Sequence, residues 1–301
     1  MKVLLSLLLL LLPFLVNSQQ DTSSYVLVSD VVIVGNNVTK ESVILKELTF
    51  NVGDTININR WNEELRISRE NIQNTSLFNF VTFEELKSEN SKDNVILKIE
   101  VTERWYLWVY PYVSYADRNI NAWYEADDLR RFSYGIDVKY NNFLGLKHTL
   151  KLIAISGYNQ NYGFSYDIPY LFDKYNFGIE AGAAYKRDKE VAYITEHNKI
   201  SYFNGDDEFA QQTKNIFVKP YYRFGHRNKL FLQFDYNDTR FHDTLMYLND
   251  DFSNLQGTSF QYFSLSVIFK NDFRDEQNYP LKGHYFEICL QAEAFLSTDS
   301  G

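Results

Sequence analysis

The 301 residues carry a net charge of −9 at pH 7 and include 24 Phe, 23 Tyr and 4 Trp. An acidic chain of this kind lacks the basic surface that nucleic acid requires, and a single cysteine, Cys289, excludes an intramolecular disulfide and a thiolate zinc cluster. Beyond residue 20 no run of about 18 apolar residues occurs, so a membrane crossing there would have to be made by strands.

The N-terminus opens with Met-Lys, continues with a largely apolar stretch over residues 3–16 interrupted by Pro13, and reaches a small residue at Ser18. That order predicts a secretory signal peptide over residues 1–18; the stretch is short for a spanning anchor. Export without a cysteine pair suits a bacterial envelope protein.

Residues 22–104 predict an α+β module of order β-α-α-β-β. Residues 25–34 are β-branched and end at a Gly35-Asn36-Asn37 turn. Thr39 is placed to cap a helix starting at Lys40, with Val43, Ile44 and Leu48 on one face. Gly53-Asp54 marks a turn, and Trp61, Leu65, Ser68 and Ile72 share one side of a second helix that runs to Leu77-Phe78. Residues 80–83 read as a strand, 84–94 as a polar hairpin loop, and Val95, Leu97, Ile99 and Val101 as the apolar face of a last strand.

Residues 105–301 alternate with period two. Phe132, Tyr134, Ile136, Val138 and Tyr140 oppose Ser133, Gly135, Asp137 and Lys139; Phe286, Ile288, Leu290, Ala292 and Ala294 oppose Tyr285, Glu287, Cys289, Gln291 and Glu293. Like ladders at 106–115, 148–156, 162–170, 177–185, 216–224, 229–236 and 262–270 bring the count to nine strands of about ten residues. This is the pattern of an antiparallel transmembrane β-barrel, with aromatic residues at strand ends as interfacial girdles. A soluble β-sandwich also alternates, but strand length, aromatic load and charges recurring on the inner face favour the barrel. Tight connections at 142–147, 172–175 and 225–229 contrast with long polar ones at 187–214 and 241–259, as between periplasmic turns and outer loops.

Taken together, these residues resemble a known family. Gly35-Asn36 with Thr39, Ile44, Glu47-Leu48, Gly53-Asp54, Leu77-Phe78 with Val81, and Ile99 and Val101 before Glu103-Arg104 resemble a POTRA domain, the periplasmic repeat of the BamA/TamA-like outer-membrane assembly proteins. Individually these are turn and core residues that mark the fold. Residues 137–170, with an Asn-Phe-Leu-Gly turn (Asn142 to Gly145) and an Asp-Ile-Pro-Tyr run around Pro169, are similar to the second to fourth strands of that family's barrel. Asp272, Arg274 and Asp275, then Pro280 and Gly283, are similar to its turn between the eighth and ninth strands. Barrels of the family have sixteen strands, against the nine read here. The later loop with its Val/Ile-Arg-Gly-Phe/Tyr motif and an aromatic-ended last strand are not found, so a truncated product is expected, with self-closure or completion by a partner as alternatives.

The resemblance implies a cell-outer-membrane protein with its N-terminal domain in the periplasm, acting in insertion or translocation. Its partners would be outer-membrane lipids, unfolded outer-membrane or secreted protein clients, and accessory lipoproteins. Clients would be captured by β-augmentation and templated at a barrel seam whose candidate strand carries Tyr106, Trp108, Tyr110 and Tyr112. A passive channel or adhesin with a periplasmic spacer is the alternative, and an outer-membrane enzyme a third. No cofactor, metal or catalytic residue is expected: G-x-S-x-G, H-E-x-x-H and P-loop patterns are missing, and the five His are scattered. Residues 205–208 and 249–251 are acidic but lack calcium-loop spacing. Asp272, Arg274 and Asp275 are expected to form a charge pair on the inner wall.

Overall fold

The computed structural model describes residues 24–87, 94–116, 131–171, 176–205, 207–249, 252, 257–277 and 279–298. The signal-peptide expectation, the 172–175 turn, Asp206, Asp250 and Asp251 lie outside these residues.

The N-terminal module is a four-stranded sheet of order β2-β1-β4-β3, built from β1 (Tyr25–Val34), β2 (Thr55–Asn57), β3 (Phe78–Lys87) and β4 (Asn94–Glu103). β1 and β4 are parallel, and the other pairs antiparallel. Two helices, α1 (Glu41–Leu45) and α2 (Ile58–Asn74), connect β1 to β3. The apolar phase of β1 changes midway, from Val26 and Val28 to Val31 and Ile33. A register shift between Val28 and Asp30 absorbs the change, so all four reach the core. Ile44, Ile72, Leu97 and Ile99 are fully buried there. As the 4, 3, 4 spacing predicts, α2 buries Trp61, Ser68 and Ile72.

Four details differ from the sequence expectation. Thr39 does not cap α1: the N-cap is Lys40, without a side-chain cap, because Thr39 is engaged by residues far along the chain. α2 ends at Asn74, not at Leu77-Phe78; Ser76 adopts a φ of 59° and turns the chain so that Leu77 is buried and Phe78 opens β3. A short strand, β2, follows the Gly53-Asp54 turn, which is itself clipped to β1 by hydrogen bonds between Gly53 N and Val28 O and between Val28 N and Asp54 O. β3 extends to Lys87, into the segment expected as loop.

The second module is a nine-stranded, wholly antiparallel sheet in sequential order: β5 (Leu107–Tyr115), β6 (Phe132–Phe143), β7 (His148–Gly157), β8 (Gln160–Ile168), β9 (Phe177–Asp188), β12 (Gln211–Phe224), β13 (Asn228–Phe241), β14 (Ser259–Asp272) and β15 (Tyr285–Thr298). The nine expected strands are present, several longer than expected: β12 to β15 have 14 residues each. Backbone pairing continues through polar residues such as Gln211–Asn215, where the apolar ladder has already stopped. The connection between β9 and β12 is not plain loop. It carries a hairpin of β10 (Glu190–Glu196) and β11 (Lys199–Asn204), and a short helix α3 (Thr244–Leu248) follows β13. One face of the large sheet presents Val113, Tyr134, Ile136, Phe164, Ile216, Phe234 and Leu290, all exposed. The other carries cross-strand ion pairs, Lys219 with Glu180 and Lys270 with Glu287. Apolar side chains are thus turned outward and charges inward, the inverse of the first module.

Ile99→Ala is expected to destabilise the first module by about 2–5 kcal/mol through the cavity it leaves. Val34→Ala, at a side chain 44% exposed, should stay within about 0.5 kcal/mol. Urea transitions followed by tryptophan fluorescence would check both.

Candidate functional site

The two modules meet without a flexible linker. β4 ends at Glu103 and β5 begins at Leu107; between them Tyr106 is buried in the core of the first module. Its hydroxyl donates to Leu77 O (3.0 Å) and lies 3.0 Å from Thr39 Oγ1. Burial pushes the Tyr106 phenol up to about 12, so it stays protonated at physiological pH. Tyr106 therefore belongs to the junction, not to the seam strand where the sequence reading had placed it.

Around Tyr106 the first turn of the large sheet is bolted down. Glu103 Oε1 accepts from Thr39 N (2.7 Å) and Thr39 Oγ1 (2.6 Å). Asn142 Nδ2, from the end of β6, donates to Thr39 Oγ1 (2.8 Å), and Lys40 N donates to Gly145 O (2.8 Å). Gly145 has a φ of 72°, and a Cβ there would sit 2.1 Å from Val38 O, so no other residue fits the contact. Asn142, also at positive φ, is fully buried by this docking.

At the centre of the junction is Glu47, 2% exposed, in the turn after α1. Its Oε2 accepts from Arg223 Nη2 at 2.9 Å, and its Oε1 from Lys147 Nζ at 2.9 Å and Arg223 Nη1 at 3.3 Å. The Tyr170 hydroxyl donates to the same oxygen. These partners come from the β6–β7 turn, the chain just after β8 and the end of β12. Burial alone would raise the Glu47 pKa. The Lys147 and Arg223 charges, with hydrogen bonds from Arg223 and Tyr170, outweigh it and hold the carboxyl well below the usual carboxylate range. Burial alone would lower Lys147, yet the Glu47 carboxylate keeps it above its ordinary value.

Two further contacts complete the interface. Arg227 Nη2 pairs with Glu70 of α2 (3.1 Å), and His226 Nε2 lies 3.1 Å from Lys46 O. Asn74, at the end of α2, donates to Asp275 O (3.0 Å) and accepts from Gln277 N (3.0 Å). Asp272 and Arg274 form the expected pair, a two-pronged one (Nε–Oδ1 2.8 Å, Nη2–Oδ2 2.7 Å). Asp275 does not join it: its Oδ1 accepts from the backbone N–H groups of Glu276, Leu281 and Lys282 and so braces the turn that holds Pro280 and Gly283.

The remaining sequence-derived positions are structural. Gly35 (φ 92°) would place a Cβ 2.0 Å from Val101 O, Asn36 Nδ2 donates to Thr39 O, and Asp54 Oδ2 accepts from Asn51 N. Leu77 and Phe78 are core, and Pro169 is buried at the end of β8, where Tyr170 leaves the ladder for the junction. Among the described residues no three His, Cys, Asp or Glu side chains gather as a metal site. Arg223 was not singled out from sequence, and Tyr170 stood out only as the last residue of the Asp-Ile-Pro-Tyr run. The available signals were an acidic residue, Glu47, on the otherwise apolar stripe of Val43, Ile44 and Leu48, and an arginine inside the β12 ladder; buried charges call for partners.

β5 is the edge of the large sheet, pairing among the described residues with β6 alone. Asn141 N donates to Tyr106 O, Ala116 N donates to Arg131 O, and Leu107 sits opposite Tyr140. Even-numbered residues therefore hydrogen-bond to β6, and the backbone groups of Leu107, Val109, Pro111 and Val113 point to the open edge. Pro111 has no N–H to offer there, as befits an edge strand. Trp108 and Tyr110 face inward over a cavity of about 500 Å³ that Arg223, Lys147 and Lys229 also line. Tyr112, in phase with them, is 40% exposed.

Glu47→Gln is expected to leave Lys147 and Arg223 buried without their counter-charge and to cost about 3–5 kcal/mol, seen as faster amide hydrogen exchange in residues 142–147. Glu47 has a folded-state pKa below its ordinary 4.5, so its contribution is complete above that value and is lost as pH falls through the folded one. Lys147, raised above 10.5, contributes fully below that value and loses its contribution as pH rises through the folded one. Docking should thus be steady from about pH 5 to pH 10, and strong acid should loosen the wild type towards the Gln variant.

Residues 26–104 match the POTRA family, described as a surface antigen variable number repeat. No curated protein sequence matches the chain. Among solved structures, BamA from Haemophilus ducreyi lacking POTRA domains 1–3 aligns with a TM-score of 0.52 at 15% identity, over 90% of this chain and 48% of that one. CdiB from Acinetobacter baumannii aligns with a TM-score of 0.47 at 12% identity, over 91% of this chain and 47% of its own. The chain spans about half the length of these structures. The module over residues 26–104 is a POTRA domain, and with the nine-stranded sheet that follows it the chain is BamA-like in fold.

Proposed function

We propose that the chain serves protein insertion or translocation at an outer membrane, with the POTRA domain in the periplasm and the outward apolar face of the large sheet in lipid. The open backbone edge of β5, held directly beside the POTRA domain by Tyr106, is the observation that carries this reading. An incoming unfolded strand would pair with the N–H and C=O groups of Leu107, Val109 and Val113, a sequence-tolerant mode of binding because it uses backbone alone. The POTRA sheet supplies a second edge, β3, which pairs only with β4 among the described residues. A groove of about 410 Å³ runs beside it, lined by Gln73, Phe80 and Thr82 among others. It would receive an extended client before transfer to β5. Accessory lipoproteins would bind the exposed POTRA surface. The work is pairing and release of strands, with no covalent step, and lipids and unfolded chains are the partners.

Two substitutions separate the edge from the fold. Val113→Pro removes a donor from the open edge only, while Tyr110→Pro removes one from the β6 ladder. In vesicles reconstituted with the protein and a refolding outer-membrane client, Val113→Pro is expected to fold normally and lose insertion activity; Tyr110→Pro is expected to lose both. Undiminished insertion by Val113→Pro would refute templating at β5.

A further inference from the structure

The geometry points to Trp105 as a latch on the open edge of β5: it closes the end nearest the POTRA domain until a polypeptide strand displaces it, and an acyl chain cannot do so. This role rests on the templating at β5 proposed above. Tyr106 and Asn141 form a hydrogen-bonded pair across the β5–β6 ladder, so Leu107 O points away from β6. The indole Nε1 of Trp105 donates to that oxygen. Val109 and Val113, further along the same edge, receive no side-chain donor among the described residues. The chain thus caps with its own side chain the acceptor that a strand arriving from the POTRA domain would meet first.

The cap is held lightly. Trp105 is 68% exposed, and its one polar side-chain atom is spent on Leu107 O. Its neighbours are fixed: Arg104 N donates to Leu77 O (3.1 Å) and Arg104 Nη1 to Ser76 O (3.3 Å), while Tyr106 is buried in the POTRA core. The backbone is pinned on both sides, so the indole leaves Leu107 by rotation about its own side-chain bonds. It has somewhere to go, since Trp105 and Trp108 line the same inner cavity of about 500 Å³. A carbonyl left without a donor away from water is costly, so the indole departs only when another donor takes its place. A backbone N–H does this with no net loss of hydrogen bonds. An acyl chain carries no donor and leaves the indole where it is. The exchange therefore admits an extended polypeptide and keeps lipid from the start of the edge.

The test uses the full chain in neutral detergent micelles and a fluorescein-labelled peptide of about ten residues, alternating leucine and threonine between terminal lysines, with binding read by anisotropy. Trp105→Phe keeps an aromatic ring and removes the donor. It is expected to bind the peptide about fivefold more tightly than the wild type, the gain from one neutral hydrogen bond that no longer competes. Fluorine NMR of protein carrying fluorotryptophan gives a second readout. The Trp105 resonance of the wild type is expected to shift as the peptide saturates, and to stay in place when dodecane is added to the micelles instead. Val113→Pro separates the latch from the edge it guards. No peptide binding, or binding that Val113→Pro leaves unchanged, overturns templating at β5 and the latch with it. Binding that Val113→Pro weakens, but that Trp105→Phe does not tighten, overturns the latch alone; so does a Trp105 resonance that ignores the peptide or moves with dodecane.

Discussion

A carboxylate taken out of water is tolerated only where positive charge meets it, and in this chain that charge comes from another module. Glu47 belongs to the POTRA domain, while Lys147, Tyr170 and Arg223 belong to the large sheet. Neither half is satisfied alone: an undocked Glu47 would sit beside the apolar core of Ile44 and Leu48, and an undocked Arg223 beside Lys229. The desolvation penalty of such groups makes a wrong docking geometry expensive, which is how a buried ion cluster confers specificity even when its net contribution to stability is small. The turns at 142–147, 225–227 and 273–284 then find their places around the same centre.

The placement of the β5 edge follows from this docking. Because Tyr106 is core to the POTRA domain and Leu107 is already strand, the start of β5 is anchored to the domain beneath it. The two sheet edges, β3 and β5, thus belong to modules joined by this one anchored junction. The same docking sets the basic cavity between the sheet and α2.

Much of the architecture was legible in the sequence because it rests on periodicity. The nine ladders predicted nine strands, since alternation of side chains across a pleated backbone needs no long-range information. Strand ends were less legible: in β12 the pairing of Gln211 to Asn215 leaves no apolar trace. Local rules failed where distant residues intervened. Thr39 has the chemistry of a helix cap, but Glu103, Tyr106 and Asn142 claim its hydroxyl. The Glu47 cluster was invisible for the same reason, its other members lying 100 to 176 positions from Glu47. Asp272 and Arg274, two positions apart, were readable as a pair.

Pro111 gives the edge of β5 a property that an uninterrupted strand would lack. A fully furnished edge would bind any incoming strand along its whole length and hold it, since in lipid a paired backbone has no competing water. With the central donor missing, a strand templated as proposed would have one carbonyl that β5 cannot satisfy, at a cost of about 1–3 kcal/mol. That carbonyl is better served elsewhere, for instance by the client's own next strand as its sheet closes. Under the proposed templating the proline would favour departure over retention, so that the edge would turn over from one client to the next instead of being consumed by the first.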